Sequence, residues 1–127
     1  RDWGHAKDYT EMQWRIMQQK KPKDYVIATG HAYSVKQFVN IAADYLGMKI
    51  LWSGKGLNEI GYTFNKNKKE ILIKIDKKYF RPNEVEYLKG DASKALKDLK
   101  FKPKYSFKAL VEDMIDGDLL EAKKELK

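Results

Sequence analysis

The sequence predicts a mixed α/β fold, and three observations predict it. Apolar residues recur at helical spacing over 35–46 and again over 107–120, which puts each set on one face of a helix. Between them, Ile60-Gly61-Tyr62-Thr63-Phe64 and Glu70-Ile71-Leu72-Ile73-Lys74-Ile75 alternate around the polar run Asn65-Lys66-Asn67-Lys68-Lys69, the pattern of a β-hairpin. A chain of 127 residues, 43% hydrophobic and 13% aromatic, has the length of one domain and enough apolar side chains for a modest core.

The elements follow in order. Asp8 gives an acidic start to a helix running to Gln19, whose broad apolar face carries Tyr9, Met12, Trp14, Ile16 and Met17. Lys20-Lys21-Pro22-Lys23 ends it, because the residue before a proline is pushed out of the helical region. Tyr25-Val26-Ile27-Ala28, stopped by Gly30, reads as a buried strand. Ser34 caps the second helix and Gly47 stops it. Lys49-Ile50-Leu51-Trp52 begins a strand, the hairpin follows, and a short strand is expected over 85–88. A helix over 93–99 turns Ala95, Leu96 and Leu99 inward, and Pro103 breaks the chain after it. Ser106 caps the last helix, whose stripe of Phe107, Leu110, Val111, Met114, Ile115, Leu119 and Leu120 reads as core before a frayed tail from Glu121.

Composition narrows the function classes. Lys and Arg number 26 against 18 Asp and Glu, a net charge of +8 that suits an anionic partner, although most of the lysines read as solvated surface. There is no cysteine, so neither a disulfide framework nor a thiolate metal site is available, in keeping with a reducing, cytoplasmic setting. His5 and His31 lie in unrelated segments, so no metal site is expected. No apolar run approaches the roughly 20 residues that span a bilayer, so no membrane partner is expected. The aromatic residues follow core periodicity rather than alternating with basic ones, which argues against a stacking platform for nucleic acid.

One stretch reads as a device for holding a ligand. In Tyr79-Phe80-Arg81-Pro82-Asn83-Glu84-Val85, Arg81 offers a planar fork of donors that matches a phosphate, Pro82 fixes the backbone beside it, and Glu84 can accept from hydroxyls, a ring N–H or Arg81 itself. The bland alternative is a surface turn with an ion pair worth about 0 to 1 kcal/mol.

Four blocks together decide between these readings. Arg1-Asp2-Trp3-Gly4-His5-Ala6-Lys7-Asp8-Tyr9, Asp24-Tyr25-Val26-Ile27-Ala28-Thr29-Gly30, the Arg81 stretch, and Gly90-Asp91-Ala92-Ser93-Lys94-Ala95 closely resemble, in the same order, the C-terminal part of GDP-mannose 4,6-dehydratases. That family belongs to the extended short-chain dehydrogenases/reductases and converts GDP-mannose to GDP-4-keto-6-deoxymannose with a tightly held NADP. The chain departs from the pattern at Asn83, where Thr or Ala is frequent, at Ala92, where proline is common, and at Lys100-Phe101, which replaces a usual Gly-Trp.

The resemblance implies the rest. Arg1 and Arg81 match two arginines that grip the nucleotide diphosphate, and Glu84 matches a carboxylate that orders the ribose hydroxyls. The chain shows no Gly-x-x-Gly-x-x-Gly turn and no Tyr-x-x-x-Lys pair of the kind the family uses. The expectation is therefore the C-terminal substrate-binding portion of the enzyme, with its Rossmann cofactor domain largely missing and no catalytic or NADP-binding residue present. Residues 1–30 would pack on that missing domain and 31–127 would form the substrate domain, with the hairpin near 60–75. GDP-mannose and the missing domain are the expected partners, the parent is expected to be a homo-oligomer, and the fragment alone is expected to be inactive. Two alternatives stay open: the substrate domain of another nucleotide-sugar epimerase or dehydratase, and a small basic nucleic-acid-binding module. Trp3 and His5 read as a core tryptophan with a satisfied histidine, Tyr79 and Phe80 as packing residues.

Overall fold

The computed structural model describes residues 1–126. It has four helices and a three-stranded sheet, in the order α1 (Ala6–Met17), α2 (Val35–Tyr45), β1 (Leu51–Ser53), β2 (Ile60–Asn65), β3 (Lys68–Lys74), α3 (Ser93–Leu99) and α4 (Phe107–Glu125). The mixed α/β class is thus observed. The chain forms two compact units, one made of Arg1–Phe38 with the segment from Tyr87 onward, the other of Val39–Glu86.

In the first unit, α1 starts earlier than the sequence suggests. His5 is the N-cap, its ring accepting from the Lys7 N–H at 3.1 Å, so Asp8 lies inside the first turn. There it is buried, and its carboxylate accepts from the Lys104 and Tyr105 N–H groups at 3.0 and 3.2 Å, tying α1 to the loop before α4. A carboxylate in that turn also faces the positive end of the helix dipole. Of the apolar face, Met12 is fully buried with Ala95, Leu99 and Phe101, and Ile16, Tyr25 and Ile27 pack around them, whereas Trp14 and Met17 are exposed. Arg15 of α1 closes α3, its guanidinium donating to the Leu99 and Lys100 carbonyls at 2.9 and 3.0 Å and satisfying groups a helix end leaves orphaned.

Several sequence expectations are corrected here. Residues 25–28 run extended but join no sheet; Ala28 is buried, Val26 is exposed, and Asp2 rather than a ladder holds the end of the segment. Residues 85–88 are likewise outside any strand. Leu96 lies 53% exposed, at the margin of the face on which Ala95 and Leu99 are buried. Ser106 does cap α4, accepting from the Ala109 N–H at 3.1 Å, but the buried stripe stops early: Phe107 and Val111 are buried while Met114, Leu119 and Leu120 are exposed. The helix also continues through Glu125, beyond the expected fray at Glu121.

The second unit is built on the antiparallel order β1-β2-β3. The hairpin turns on Lys66 and Asn67, both at positive φ (48° and 63°), the backbone signature of the tight turn that matches strand twist. Tyr62 faces Ile71 while Gly61 faces Ile73, so Leu72 is an extra residue that bulges β3. The start of α2 carries a reciprocal cap, Ser34 and Gln37 each accepting from the other's backbone N–H, and its end is a Schellman turn with Gly47 at φ 72°. Asn40 of α2 accepts from the Trp52 indole N–H at 2.8 Å.

Candidate functional site

Arg81 and Glu84 sit in one turn. Asp76 first reverses the chain, accepting from the Lys78 N–H through its side chain and from the Tyr79 N–H through its carbonyl. A second turn then places Pro82 at the position where its fixed φ is favoured, with the Glu84 N–H donating to the Arg81 carbonyl at 3.3 Å. The side chains meet as a long ion pair, Nη1 to Oε2 at 3.8 Å, with Arg81 80% and Glu84 45% exposed. A pair so solvated contributes on the order of 0 to 1 kcal/mol to stability, so its removal barely touches the fold. What the turn provides is a guanidinium fork and a carboxylate presented together to solvent from a backbone that proline stiffens. Tyr79 is 72% exposed and Phe80 44% exposed, so they project rather than pack, which corrects the sequence reading; Lys78 lies over the Tyr79 ring at 5.4 Å.

Arg1 belongs to the first unit, Arg81 and Glu84 to the second. The Arg1 backbone is paired with Tyr33, its N donating to the Tyr33 carbonyl at 2.6 Å and its carbonyl accepting from the Tyr33 N–H at 2.9 Å. The next residues anchor that pairing. Asp2 accepts from four donors of two other segments, the Thr29 N–H and hydroxyl on one oxygen and the Gly30 and Gly90 N–H groups on the other, at 2.5 to 3.1 Å. Burial pushes the Asp2 carboxyl upward, but the hydrogen bonds from Thr29, Gly90 and Gly30 outweigh it and hold it below the usual carboxylate range.

Trp3 stacks on Phe107 and meets Phe38 edge-on, each at 5.6 Å between ring centroids, and Tyr33 stacks on the other rings through Phe107 at 3.9 Å. His5 is 5% exposed, stacks on Tyr105 and donates from Nε2 to Asp113 at 3.0 Å, because its Nδ1 already accepts from Lys7. Trp3 and His5 are therefore packing residues, as the sequence suggests. Two clefts of this unit lie beside these residues. One of about 530 Å³ lies between residues 28–30, 89–93 and 101–103, with Lys89 and Lys102 on its walls. The other, about 460 Å³, is walled by Trp3, Tyr33, Tyr105 and Phe107.

The Asp2 junction and the clefts escape sequence reasoning, since they join distant residues with no periodic signal, 88 positions apart for Asp2 and Gly90; a carboxylate whose partners are backbone N–H groups leaves no mark in the partners' residue types. Among the described residues there is no cluster of three or more His, Cys, Asp or Glu placed to hold a metal, and no helix long and apolar enough to cross a membrane. Two Tyr–Lys pairs do stand four residues apart, Tyr45 with Lys49 and Tyr62 with Lys66, but neither lies on a continuous helix, where that spacing would put both on one face. The glycine-spaced run Ser53-Gly54-Lys55-Gly56 leads from β1 into a three-residue 3-10 turn rather than an α-helix, so it does not build the N-terminal cradle a dinucleotide pyrophosphate needs.

A family model described as GDP-mannose 4,6 dehydratase matches residues 1–114. Over 119 residues the chain is 46% identical to the GDP-mannose 4,6 dehydratase of Drosophila melanogaster, a match covering 94% of this chain and 30% of that protein. It is 44% identical to the human protein of the same name over 119 residues, covering 94% and 32%. Against the GDP-mannose 4,6-dehydratase of Yersinia enterocolitica it is 44% identical over 131 residues, covering 97% and 35%. The chain thus spans about a third of the length of these curated relatives. Since the family model takes in the Arg1–Asp2 junction and the Arg81–Glu84 turn alike, the chain belongs to the GDP-mannose 4,6 dehydratase family.

Proposed function

We propose that this chain supplies the nucleotide-sugar-binding part of a GDP-mannose 4,6-dehydratase, a hydro-lyase that forms GDP-4-keto-6-deoxymannose. Arg1 and Arg81 grip the diphosphate as two forks, and Glu84 accepts from the ribose hydroxyls. The observation that carries this reading is the stiff turn that presents the Arg81 fork and the Glu84 carboxylate together to solvent, within a chain of this family. A fork held ready in this way loses little freedom on meeting a phosphate, which is how orientation becomes binding energy.

The parent enzyme uses NADP to take up and return the hydride. The residues of this chain do not form a cradle for that group, so no catalytic step is assigned to them and the chain alone binds without turnover. In this reading the remainder of a longer protein carries the cofactor, and the parent works in the cytoplasm as a homo-oligomer, without nucleic acid.

Titration calorimetry with GDP, and with ADP as control, tests the site. Saturable GDP binding is expected, weakened at least about tenfold by Arg81→Ala, the scale of one lost charge-assisted contact. An Arg81→Ala chain that binds GDP as tightly as the unaltered one would overturn the assignment.

A further inference from the structure

The Asp2 carboxylate accepts four hydrogen bonds from two other segments, and nothing in the binding reading uses it. We infer that Asp2 is a positioning residue for Arg1: it locks the Arg1 backbone in place so that the guanidinium is held ready for a diphosphate. The inference rests on the assignment of Arg1 to the nucleotide site.

The Arg1 backbone pairs with Tyr33, its N donating to the Tyr33 carbonyl and its carbonyl accepting from the Tyr33 N–H. Tyr33 stands four residues beyond Thr29 on a short irregular segment, with no sheet to fix it. Its far end rests on the stacking of Tyr33 against Phe107, and its near end is tied by Asp2. One oxygen takes both Thr29 donors, the other takes the Gly30 N–H and, from a third segment, the Gly90 N–H. The residue next to Arg1 thereby ties down Thr29 and Gly30, at the start of the segment whose Tyr33 pairs with Arg1. Gly90 is part of the same clamp because a side chain there has no room: a Cβ would stand 2.2 Å from the Ala28 Cβ.

An amide cannot reproduce this. A carboxylate accepts at both oxygens, whereas Asn at position 2 turns an NH2 toward at least one pair of donors and leaves them unmatched. Asp2→Asn therefore loosens residues 29–33 at nearly constant volume, while Arg1→Ala removes the guanidinium and keeps the backbone pairing. The two substitutions separate holding from gripping.

The first readout is amide hydrogen exchange at Tyr33, whose N–H donates to Arg1. In Asp2→Asn it exchanges at least about tenfold faster, while the amides of the α1 interior keep their protection. Unchanged protection at Tyr33 means that the stacking of Tyr33 and Trp3 on Phe107 suffices to hold Arg1, and it overturns the inference without any ligand. The second readout is GDP affinity in a double-mutant cycle. Asp2→Asn weakens binding about tenfold, and the Asp2→Asn, Arg1→Ala chain binds no more weakly than Arg1→Ala alone, since Asp2 acts through Arg1. With Arg81→Ala the losses add. Asp2→Asn binding that is intact where Arg1→Ala binding is weakened overturns the inference alone; Arg1→Ala binding that is intact overturns the role of Arg1 on which it rests. If Asp2→Asn does not fold, Thr29→Val carries the same comparisons, with a two- to threefold effect expected from the loss of one donor in four and the same null results overturning the inference.

Discussion

Gly90 is a residue whose importance lies in what it lacks. Its N–H reaches Asp2 at 3.1 Å, and its α-carbon passes so close to Ala28 that any side chain collides with a buried methyl group. Gly90→Ala should push residues 26–28 and 89–91 apart, lengthen the bond to Asp2 and cost on the order of 1 to 3 kcal/mol, as overpacking of a tight site does. Chemical denaturation measures this directly, and an unchanged midpoint would show that the two segments part without strain. At this scale the sequence is legible in a particular way. Arg81, Pro82 and Glu84 are recognised because they are adjacent and their chemistry is local. Asp2 is not, although it lies beside Arg1, because its partners are a hydroxyl and the backbone of distant residues. Trp3 and His5 fall between: their residue types favour packing, and the structure supplies Phe107, Phe38, Tyr105 and Asp113 as the partners.

Helix α3 ends on Lys100 in the left-handed conformation, φ 53° and ψ 31°. An L side chain is strained there, and this is the place where the family resemblance leads one to expect glycine. Lys100→Gly should therefore raise stability by about 0.5 to 1 kcal/mol, the relief of left-handed strain less the added freedom of the unfolded chain. Arg15 donates to the Leu99 and Lys100 carbonyls, which are unaltered by the change, so an upward shift in the denaturation midpoint reports the strain itself. Elements defined by their own residues were the ones read well from sequence. The hairpin, the Ser34 and Ser106 caps and the Gly47 stop all depend on neighbours within a few positions. Residues 25–28 and 85–88 mark the limit of such reading, because a strand needs a partner and an apolar run does not say whether this chain supplies one. The far half of α4 was misread as core for the same reason: spacing marks a face, not what covers it.

The molecule as a whole should be limited by carboxylates in acid and by phenols and a lysine in alkali. Asp2 is held low by its hydrogen bonds against the push of burial; Glu11 is lowered by hydrogen bonds from Lys104 and Arg15, Asp91 by Ser93 and Asp98 by Lys23. Each contributes stability that is present above its unfolded pKa of about 4 and is lost as pH falls through its lower folded value. Tyr9 and Tyr25, raised chiefly by burial, and Lys23, raised by Asp98, act in the opposite sense: their contribution is complete below about pH 10 and disappears above it. Denaturation followed across pH should give a plateau between these limits with a fall below about pH 4, and Asp2→Asn should make the acid fall shallower. An acid limb of the same steepness in Asp2→Asn would remove Asp2 from the account. The bonds of the first unit also set an order of events. Asp2 meets Gly90 across 88 positions, Asp8 meets Tyr105 across 97, and His5 meets Asp113 across 108. The pairings of residues 2–8 therefore cannot close until the chain through Asp113 has been made, whereas the contiguous segment 39–86 can fold as soon as it is complete. The unit that holds Arg1 is thus the later of the two to close, because its two parts flank the other in sequence.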